Sequence, residues 1–501
     1  MKKIITFLFV FSAVFSTAQR KQQSPYAQQI QEFDKYVEQA RTQWMVPGLA
    51  VVVVKDNQVI FKKGYGTRQL GKPEQVDTQT LFACASTTKA MTAVCLGMLV
   101  DEGKVNWNDP VINYLPDFQL YDPFVTRELK IRDLLIHDSG VGNTDFLWGA
   151  MNIPSGEIIK KLSLVKPSYS LRSSFIYQNI FYLVAGKVIE KVSGQSWADF
   201  IQKRIFDPLS MTRTVPGYKY VKDPNQSKPH MKVDGSIQVI ENSIADEVAP
   251  AGAVWSCVDD MGKWVICMLD SSKYAGGRLL KPATWTEMFK PQTIVPANEF
   301  YPTMQIIKPN WTTYGFGWFQ HDYKGKKVNY HTGSLAGTVA INAQIPEDKI
   351  GIYIYANYDH AEVRHALVYK AFDLFALGGT RDWSSEFLKL YTGILEKNEK
   401  KEKDFEANRV LNTMPSLSLQ EYTGKYTDPL YGEIEVSVND KNLAFAINNY
   451  VKASLAHWNY DTFYGPYEKR WDGKAKAVFI LNASGKADRL NFDGMEFKKT
   501  N

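Results

Sequence analysis

The spacing of hydrophobic and polar positions changes several times along the chain, and each change predicts a different element. Residues 26–43 set apolar side chains at helical intervals among polar ones, which predicts an amphipathic helix. Pro47-Gly48 breaks it. Leu49 to Val54 is a continuous apolar run, the mark of a buried strand. Lys55-Asp56-Asn57-Gln58 supplies turn chemistry, and Val59 to Phe61 begins a return strand that ends near Gly64 and Gly66. Residues 81–260 read as mainly helical, interrupted by loops marked with Gly and Pro. Strand signals return at Lys327 to Tyr330, Val339 to Ile345 and Ile350 to Tyr355, followed by a helix at 361–377. Strands at both ends thus flank a helical insert. The simplest closure is an α+β fold: one antiparallel sheet flanked by helices, with the insert as a helical lobe and a cleft between lobe and sheet.

Beyond residue 378 the pattern weakens. Residues 396–409 are rich in Glu, Lys and Asn and offer no wide apolar face, so 379–414 reads as a charged helical linker. After Pro415 short alternating runs take over. Ile434, Val436 and Val438 alternate with polar residues, Asn439-Asp440-Lys441-Asn442 can turn the chain, and Leu443, Phe445 and Ile447 alternate again. Residues 415–501 read as a small all-β domain, and 26–378 as the main domain.

Composition adds three constraints. With 501 residues, two or three domains are expected, and 45% hydrophobic against 22% charged residues supports ordinary globular cores. The net charge of +6 is spread along the chain without a basic, aromatic-interleaved stripe, which argues against nucleic-acid binding. Lys2 and Lys3, the apolar run Ile4 to Phe15 and the small residues Ser16-Thr17-Ala18 predict a signal peptide over residues 1–18, with Gln19 as the mature terminus and a periplasmic or secreted destination. An uncleaved anchor is the alternative. No cysteine precedes Cys84, and no later stretch is apolar enough for a membrane span. Cys84 and Cys95, if helical, lie about 16 Å apart at roughly 1.5 Å per residue, too far to bridge, and the same holds for Cys257 and Cys267. All four read as small buried hydrophobes. No Cys/His cluster has metal-ligand spacing, and nothing calls for a cofactor.

Three short motifs carry chemistry. Ser86-Thr87-Thr88-Lys89 stands just before Met91, Val94, Cys95, Met98 and Leu99, apolar positions at helical spacing, with Gly103 as a stop. Residues three apart share a helix face, so Ser86 and Lys89 meet at a helix N-terminus. A serine hydroxyl needs a base, and a lysine whose pKa burial lowers can be one. The bland alternative is an N-cap serine with an exposed lysine. Tyr177-Gln178-Asn179 precedes the helical run Ile180 to Val192: a packed aromatic and a helix cap, or a proton relay and an amide holding Lys89. His331-Thr332-Gly333-Ser334 ends the strand from Lys327, where Gly333 permits close approach and the strand edge can pair with an extended substrate; His331 is otherwise a structural histidine.

In this order and context, the motifs resemble the serine β-lactamase/penicillin-binding-protein family, on the branch of class C β-lactamases, Streptomyces-type D-alanyl-D-alanine carboxypeptidases, D-aminopeptidases and related esterases. That family carries Ser-x-x-Lys, and Tyr-x-Asn in second place is this branch's form. Supporting segments are Pro47-Gly48-Leu49, Asp109-Pro110-Val111, Leu134 to Gly140, Pro208-Leu209-Ser210-Met211 and Tyr314-Gly315-Phe316-Gly317-Trp318. The resemblance covers residues 30–375, and 415–501 resembles the lipocalin-like module often appended to this family. It implies that Ser86 is acylated, that Lys89 and Tyr177 share the proton transfers, and that Asn179 orients Lys89 and the substrate. It also implies an oxyanion hole made by the N–H groups of Ser86 and Ser334, worth roughly 3–4 kcal/mol per donor in other hydrolases. His137 is implied to anchor a loop. Asp138 stands where threonine is usual. His331 stands where class C β-lactamases have lysine, and a histidine with an unperturbed pKa of about 6.5 is no fixed cation for a substrate carboxylate. A carboxypeptidase or esterase is therefore expected over an efficient β-lactamase, on a small-molecule or peptide substrate. A penicillin- or cell-wall-ligand-binding sensor without turnover is the alternative.

Overall fold

A computed structural model describes residues 25–149, 151 and 153–500. The expected signal peptide lies outside the described residues. Among them, no helix is long and apolar enough to cross a membrane.

The main sheet has eight strands: β1 (Gly48–Lys55), β2 (Gln58–Gly66), β3 (Thr293–Ile294), β4 (Thr312–Tyr314), β5 (Phe319–Tyr323), β6 (Lys326–Leu335), β7 (Thr338–Ile345) and β8 (Ile350–Ala356). Their spatial order is β2-β1-β8-β7-β6-β5-β4-β3, and every pairing is antiparallel. The N-terminal hairpin therefore joins the C-terminal strands through β1 against β8, with Leu49 opposite Ala356. Leu49 through Val54 are all buried, because both faces of this central strand are covered. On one face lie the helices Ala27–Gln43 and Val363–Phe372; on the other lie Val258–Leu269 and the helical lobe, centred on Thr88–Asp101 and Ile180–Ser193.

Several elements depart from the sequence reading. The strands β3, β4 and β5 extend the sheet beyond β6, and the region expected to be mainly helical contains two small ribbons, Phe82–Ala83 with Trp255–Ser256 and His230–Val233 with Ser236–Val239. The expected helix at 361–377 is α-helical from Val363 to Phe372 and continues as a π-turn over Asp373–Leu377. All four cysteines are free and buried.

The charged segment forms one long helix, Trp383–Ala407. It has packing partners despite its narrow apolar face. Trp383 and Phe387 are buried at its start, and near its end Phe405 stacks on Trp458 at 5.5 Å while Lys474 pairs with Glu402 and Glu406. Eight strands between Gly424 and Thr500 then close into a barrel. Its interior is filled by side chains, among them Tyr426, Ile434, Val436, Leu443, Phe445, Phe479 and Phe497. Val438 keeps the alternation but is 38% exposed, at the strand's outer end.

The barrel rests against the main domain. Phe146 meets Tyr431 edge-on at 5.9 Å, Lys161 donates to the Pro429 carbonyl at 2.6 Å, and Lys469–Glu241 and Arg470–Asp234 form ion pairs at 2.9 Å each.

Candidate active site

Ser86 sits in a short 3-10 turn, Ala85–Thr87, that feeds the helix Thr88–Asp101. Ala85 has φ +46°, a left-handed conformation that costs energy for a residue with a Cβ and turns the chain sharply into the nucleophile. The serine is partly exposed, whereas Lys89 one turn on is fully buried. The Lys89 Nζ donates to Ser86 Oγ at 3.1 Å, to Asn179 Oδ1 at 2.6 Å and to the Ala251 carbonyl at 2.9 Å. All three ammonium hydrogens thus have an acceptor. Burial nevertheless disfavours the charge and lowers the lysine pKa to about 7, with Asp145 acting in the opposite direction. An amine poised there exchanges a proton near neutrality. The alternative of an N-cap serine beside an exposed lysine does not describe this site.

Asn179 occupies the N-cap position of the helix Ile180–Ser193, yet its side chain makes no capping hydrogen bond. Its Oδ1 accepts from Lys89, and its Nδ2 donates to both Asp145 oxygens at 2.8 and 2.9 Å. The Asp145 carboxylate also accepts from Trp148 Nε1 at 2.9 Å. Asp145 thereby fixes which way the Asn179 amide faces. The motif reading missed Asp145, because a lone aspartate in a loop carries no spacing signal.

Tyr177 is half-buried, with the Lys89 ammonium 5.0 Å from its ring centre. Burial pushes its phenol well above the usual tyrosine range, while an interaction with the Ser86 hydroxyl works against this. The phenol is therefore a proton donor at rest and not a standing phenolate. His137 braces the segment that carries it. With φ +62°, His137 accepts the Ile176 N–H at its carbonyl (2.9 Å) and the Gln178 N–H at its Nδ1 (3.1 Å). Burial and the nearby Lys89 and His331 hold its pKa well below the ordinary value, so the ring is neutral. The neighbouring Asp138 is buried away from the cleft, with its carboxyl pushed up to about 7 by burial and by Asp133.

The third motif contributes mainly backbone. A Cβ on Gly333 would lie 2.2 Å from the Cys84 carbonyl oxygen and 3.1 Å from the Ser86 nitrogen. Only glycine lets β6 come this close to the nucleophile turn. Ser334 and Thr332 line the cleft on the other side of the strand. His331 does not. It is buried, with Nε2 2.9 Å from the Tyr314 hydroxyl and Nδ1 2.6 Å from the Thr332 carbonyl oxygen. Burial, reinforced by Lys89, takes its pKa down to about 3. The expectation that its side chain binds substrate is corrected here: the ring has no cleft surface, and its role is to tie β6 to Tyr314. Arg364 borders the cleft next to this strand. It donates to the Gly333 carbonyl at 2.6 Å and to Ser334 Oγ at 3.1 Å, with Glu362 beside it at 3.2 Å.

These groups surround an open cleft of about 430 Å³. Its walls include Ser86, Tyr177, Asn179, Tyr301, Ser334 and Arg364. Among the described residues, no cluster of His, Cys, Asp and Glu is arranged to hold a metal ion.

A family model described as "Beta-lactamase" matches residues 33–374. The chain belongs to this family. A second model, "Domain of unknown function (DUF3471)", matches residues 408–501. The unguisins hydrolase ungD of Aspergillus violaceofuscus (strain CBS 115571) is 27% identical over 442 residues, covering 81% of this chain and 76% of the relative. Two solved structures share the fold. The octameric penicillin-binding protein homologue from Pyrococcus abyssi aligns with a TM-score of 0.62 at 20% identity, over 94% of this chain and 99% of its own. SurE, solved with D-Leu, aligns with a TM-score of 0.56 at 17% identity, over 94% and 100%. Hydrolase-named relatives place the β-lactamase fold seen here in a family of hydrolases.

Proposed function

We propose that the chain is an exported serine hydrolase that works through an acyl-Ser86 intermediate on a D-amino-acid peptide, an ester or a β-lactam, with peptidase or esterase action favoured over efficient β-lactam hydrolysis. The observation that carries this reading is the buried Lys89 amine, held beneath the open cleft by Ser86 Oγ and Asn179 Oδ1, whose residues line it. With its pKa near 7, a neutral Lys89 takes the Ser86 proton as Oγ attacks the carbonyl carbon. The C=O π pair moves to oxygen, and the oxyanion forms at the N–H groups of Ser86 and Ser334. The tetrahedral species collapses, the C–N or C–O bond breaks, and the leaving group receives a proton from Lys89 through the Tyr177 hydroxyl. Water then attacks the ester carbon and gives up a proton along the same path; the C–Oγ bond breaks, Oγ takes that proton back, and the acid is released with Ser86 restored. Asn179 orients Lys89 and a substrate amide.

Two features disfavour efficient β-lactam turnover. His331 is neutral and enclosed, so the third motif presents no cation to a carboxylate. Arg364, which does border the cleft, is already paired with Glu362, and so is the neighbouring His360. Export rests on the Lys2-Lys3 start and the apolar run to Phe15, and a lipocalin-like relationship for the barrel rests on its eight closed strands. The test is Ser86→Ala against wild type on a short p-nitrophenyl ester and a D-alanyl dipeptide. The proposal expects loss of turnover by a factor of about 10³ or more; full activity in Ser86→Ala rejects it.

A further inference from the structure

A groove of about 510 Å³ lies between residues 241–247 on one side and the barrel residues 449–452 and 468–472 on the other. Three segments line both cavities. Trp148 borders each of them. Residues 241–248 alternate, with Ala245 and Val248 on the cleft and Ile244, Asp246 and Glu247 on the groove. At the tip of the β6–β7 hairpin, Leu335 borders the cleft and Ala336 the groove. The two spaces are therefore neighbours that share a wall, and the barrel forms the outer wall of the second.

Strand β6 leads from one to the other. It pairs with β5 only as far as Tyr330. From His331 to Leu335 its edge away from β7 has no strand partner among the described residues. That open edge runs about 16 Å at roughly 3.3 Å per residue. It passes Ser334, beside the nucleophile, and finishes at the groove. An extended peptide added along it is carried past Ser86 and out between the two halves of the protein, the geometry of strand addition.

The groove is built for such a chain. Trp148, Tyr450 and Trp471 offer aromatic faces. Five carboxylates and two lysines lie among them, so the groove is net acidic, while the Lys469–Glu241 ion pair links its two walls at 2.9 Å. An acidic groove with aromatic faces suits a chain rich in amide N–H donors that carries small or apolar side chains; it does not suit a polyanion. Trp148 is also hydrogen-bonded to Asp145, which holds Asn179, so the shared wall is rigidly tied to the catalytic residues. The barrel's own interior is already filled by side chains, which leaves its outer surface for binding.

We infer that this groove is a second substrate subsite, shared by the catalytic half and the barrel, that receives the remote end of an extended oligopeptide whose scissile bond lies at Ser86. The inference rests on the acyl-serine reading for the position of the scissile bond, but not for binding itself. It assigns the barrel a role in choosing long peptides over short ones.

The test is equilibrium binding to the full-length Ser86→Ala protein, in which no turnover intervenes. Fluorescently labelled hexa-D-alanine and di-D-alanine are compared, then measured again with Trp471→Ala and, separately, with the exposed Tyr450→Ala added. The expected result is roughly tenfold tighter binding of the hexapeptide, a preference that falls severalfold in each groove variant. Equal affinity for the two lengths, or a length preference that survives both substitutions, overturns the inference. A fall of equal size for both peptides also overturns it, since the groove then acts through the fold and not as a subsite. Failure of the acyl-serine reading is seen separately, as Ser86-independent turnover in the ester assay.

Discussion

Replacing Asp145 by asparagine isolates an electrostatic contribution from a structural one. The substituted side chain keeps an amide oxygen that can accept from Asn179 and Trp148, while the negative charge is lost. That charge lies across the Asn179 amide from Lys89: Nζ to Oδ1 is 2.6 Å and Nδ2 to the carboxylate is 2.8 Å, which with the width of the amide gives a charge separation of about 7 Å. At an effective dielectric constant of about 20, two unit charges at that distance attract by about 2 kcal/mol, or between one and two pKa units. The sign follows from the chemistry. Asp145 favours the protonated amine, so its neutralisation lowers the Lys89 pKa further below about 7. Other groups facing Lys89 (His137, His331, Tyr177, Tyr182) remain in place. The assay is kcat/KM against pH on a short p-nitrophenyl ester. Its acidic limb, set by loss of the free amine, is expected to move to lower pH by about one to two units in Asp145→Asn. A merely destabilised enzyme would lose rate at every pH without moving the limb. An unmoved limb, or one displaced upward, would refute the assignment of Lys89 as the base whose charge Asp145 tunes.

The same geometry sets three more expectations. Gly333→Ala places a Cβ against the Cys84 carbonyl and pushes β6 off the Ser86 turn, so ester hydrolysis is expected to fall on the order of 10²-fold with β6 displaced; activity within a factor of about two would contradict the close-approach argument. His331→Lys buries a cation beside Lys89 and is expected to destabilise the fold by about 2–4 kcal/mol in urea titration, without creating efficient benzylpenicillin hydrolysis. Because the folded-state pKa of Lys89 lies below its unfolded value, the unfolded chain binds more protons between about pH 7 and 10.5. Lys89 therefore contributes a rise in stability with pH across that window, up to about 1.4 kcal/mol per pH unit, which Lys89→Met should remove when stability is measured against pH.

Much of this architecture was written in simple hydrophobic patterns, and the exceptions have identifiable causes. β1, β7 and β8 are central strands covered on both faces; β1 is an unbroken apolar run from Leu49 to Val54, β8 is apolar and aromatic around Gly351, and β7 keeps apolar residues on both sides of its buried Asn342 and Gln344. β5 is just as buried but holds Gln320 and His321, satisfied by the Phe289 carbonyl, Asn329 and the Tyr369 hydroxyl. Such internally paired polar residues erase the period that marks a strand. β3 and β4 are two or three residues long, too short for any period. The ribbon at 230–239 did carry a signal, the Asp234-Gly235 turn, inside a region dominated by helical spacing. At the site, Ser86 with Lys89, tied by helical spacing, and Tyr177 with Asn179, close together just before a helical run, were legible. Asp145 and Arg364 were not, because loop geometry and a distant helix bring them in. His331 was visible as a motif residue, but its enclosure beneath Tyr314 depends on packing that one strand cannot reveal.

The most direct test of the central claim is acid-quenched intact-mass analysis of the full-length protein during hydrolysis of a short phenyl ester, with peptide mapping and Ser86→Ala in parallel. The account predicts a transient mass increase equal to the acyl group, located on Ser86 and lost in Ser86→Ala. An adduct on another residue, or turnover and adduct that persist without the Ser86 hydroxyl, would contradict it.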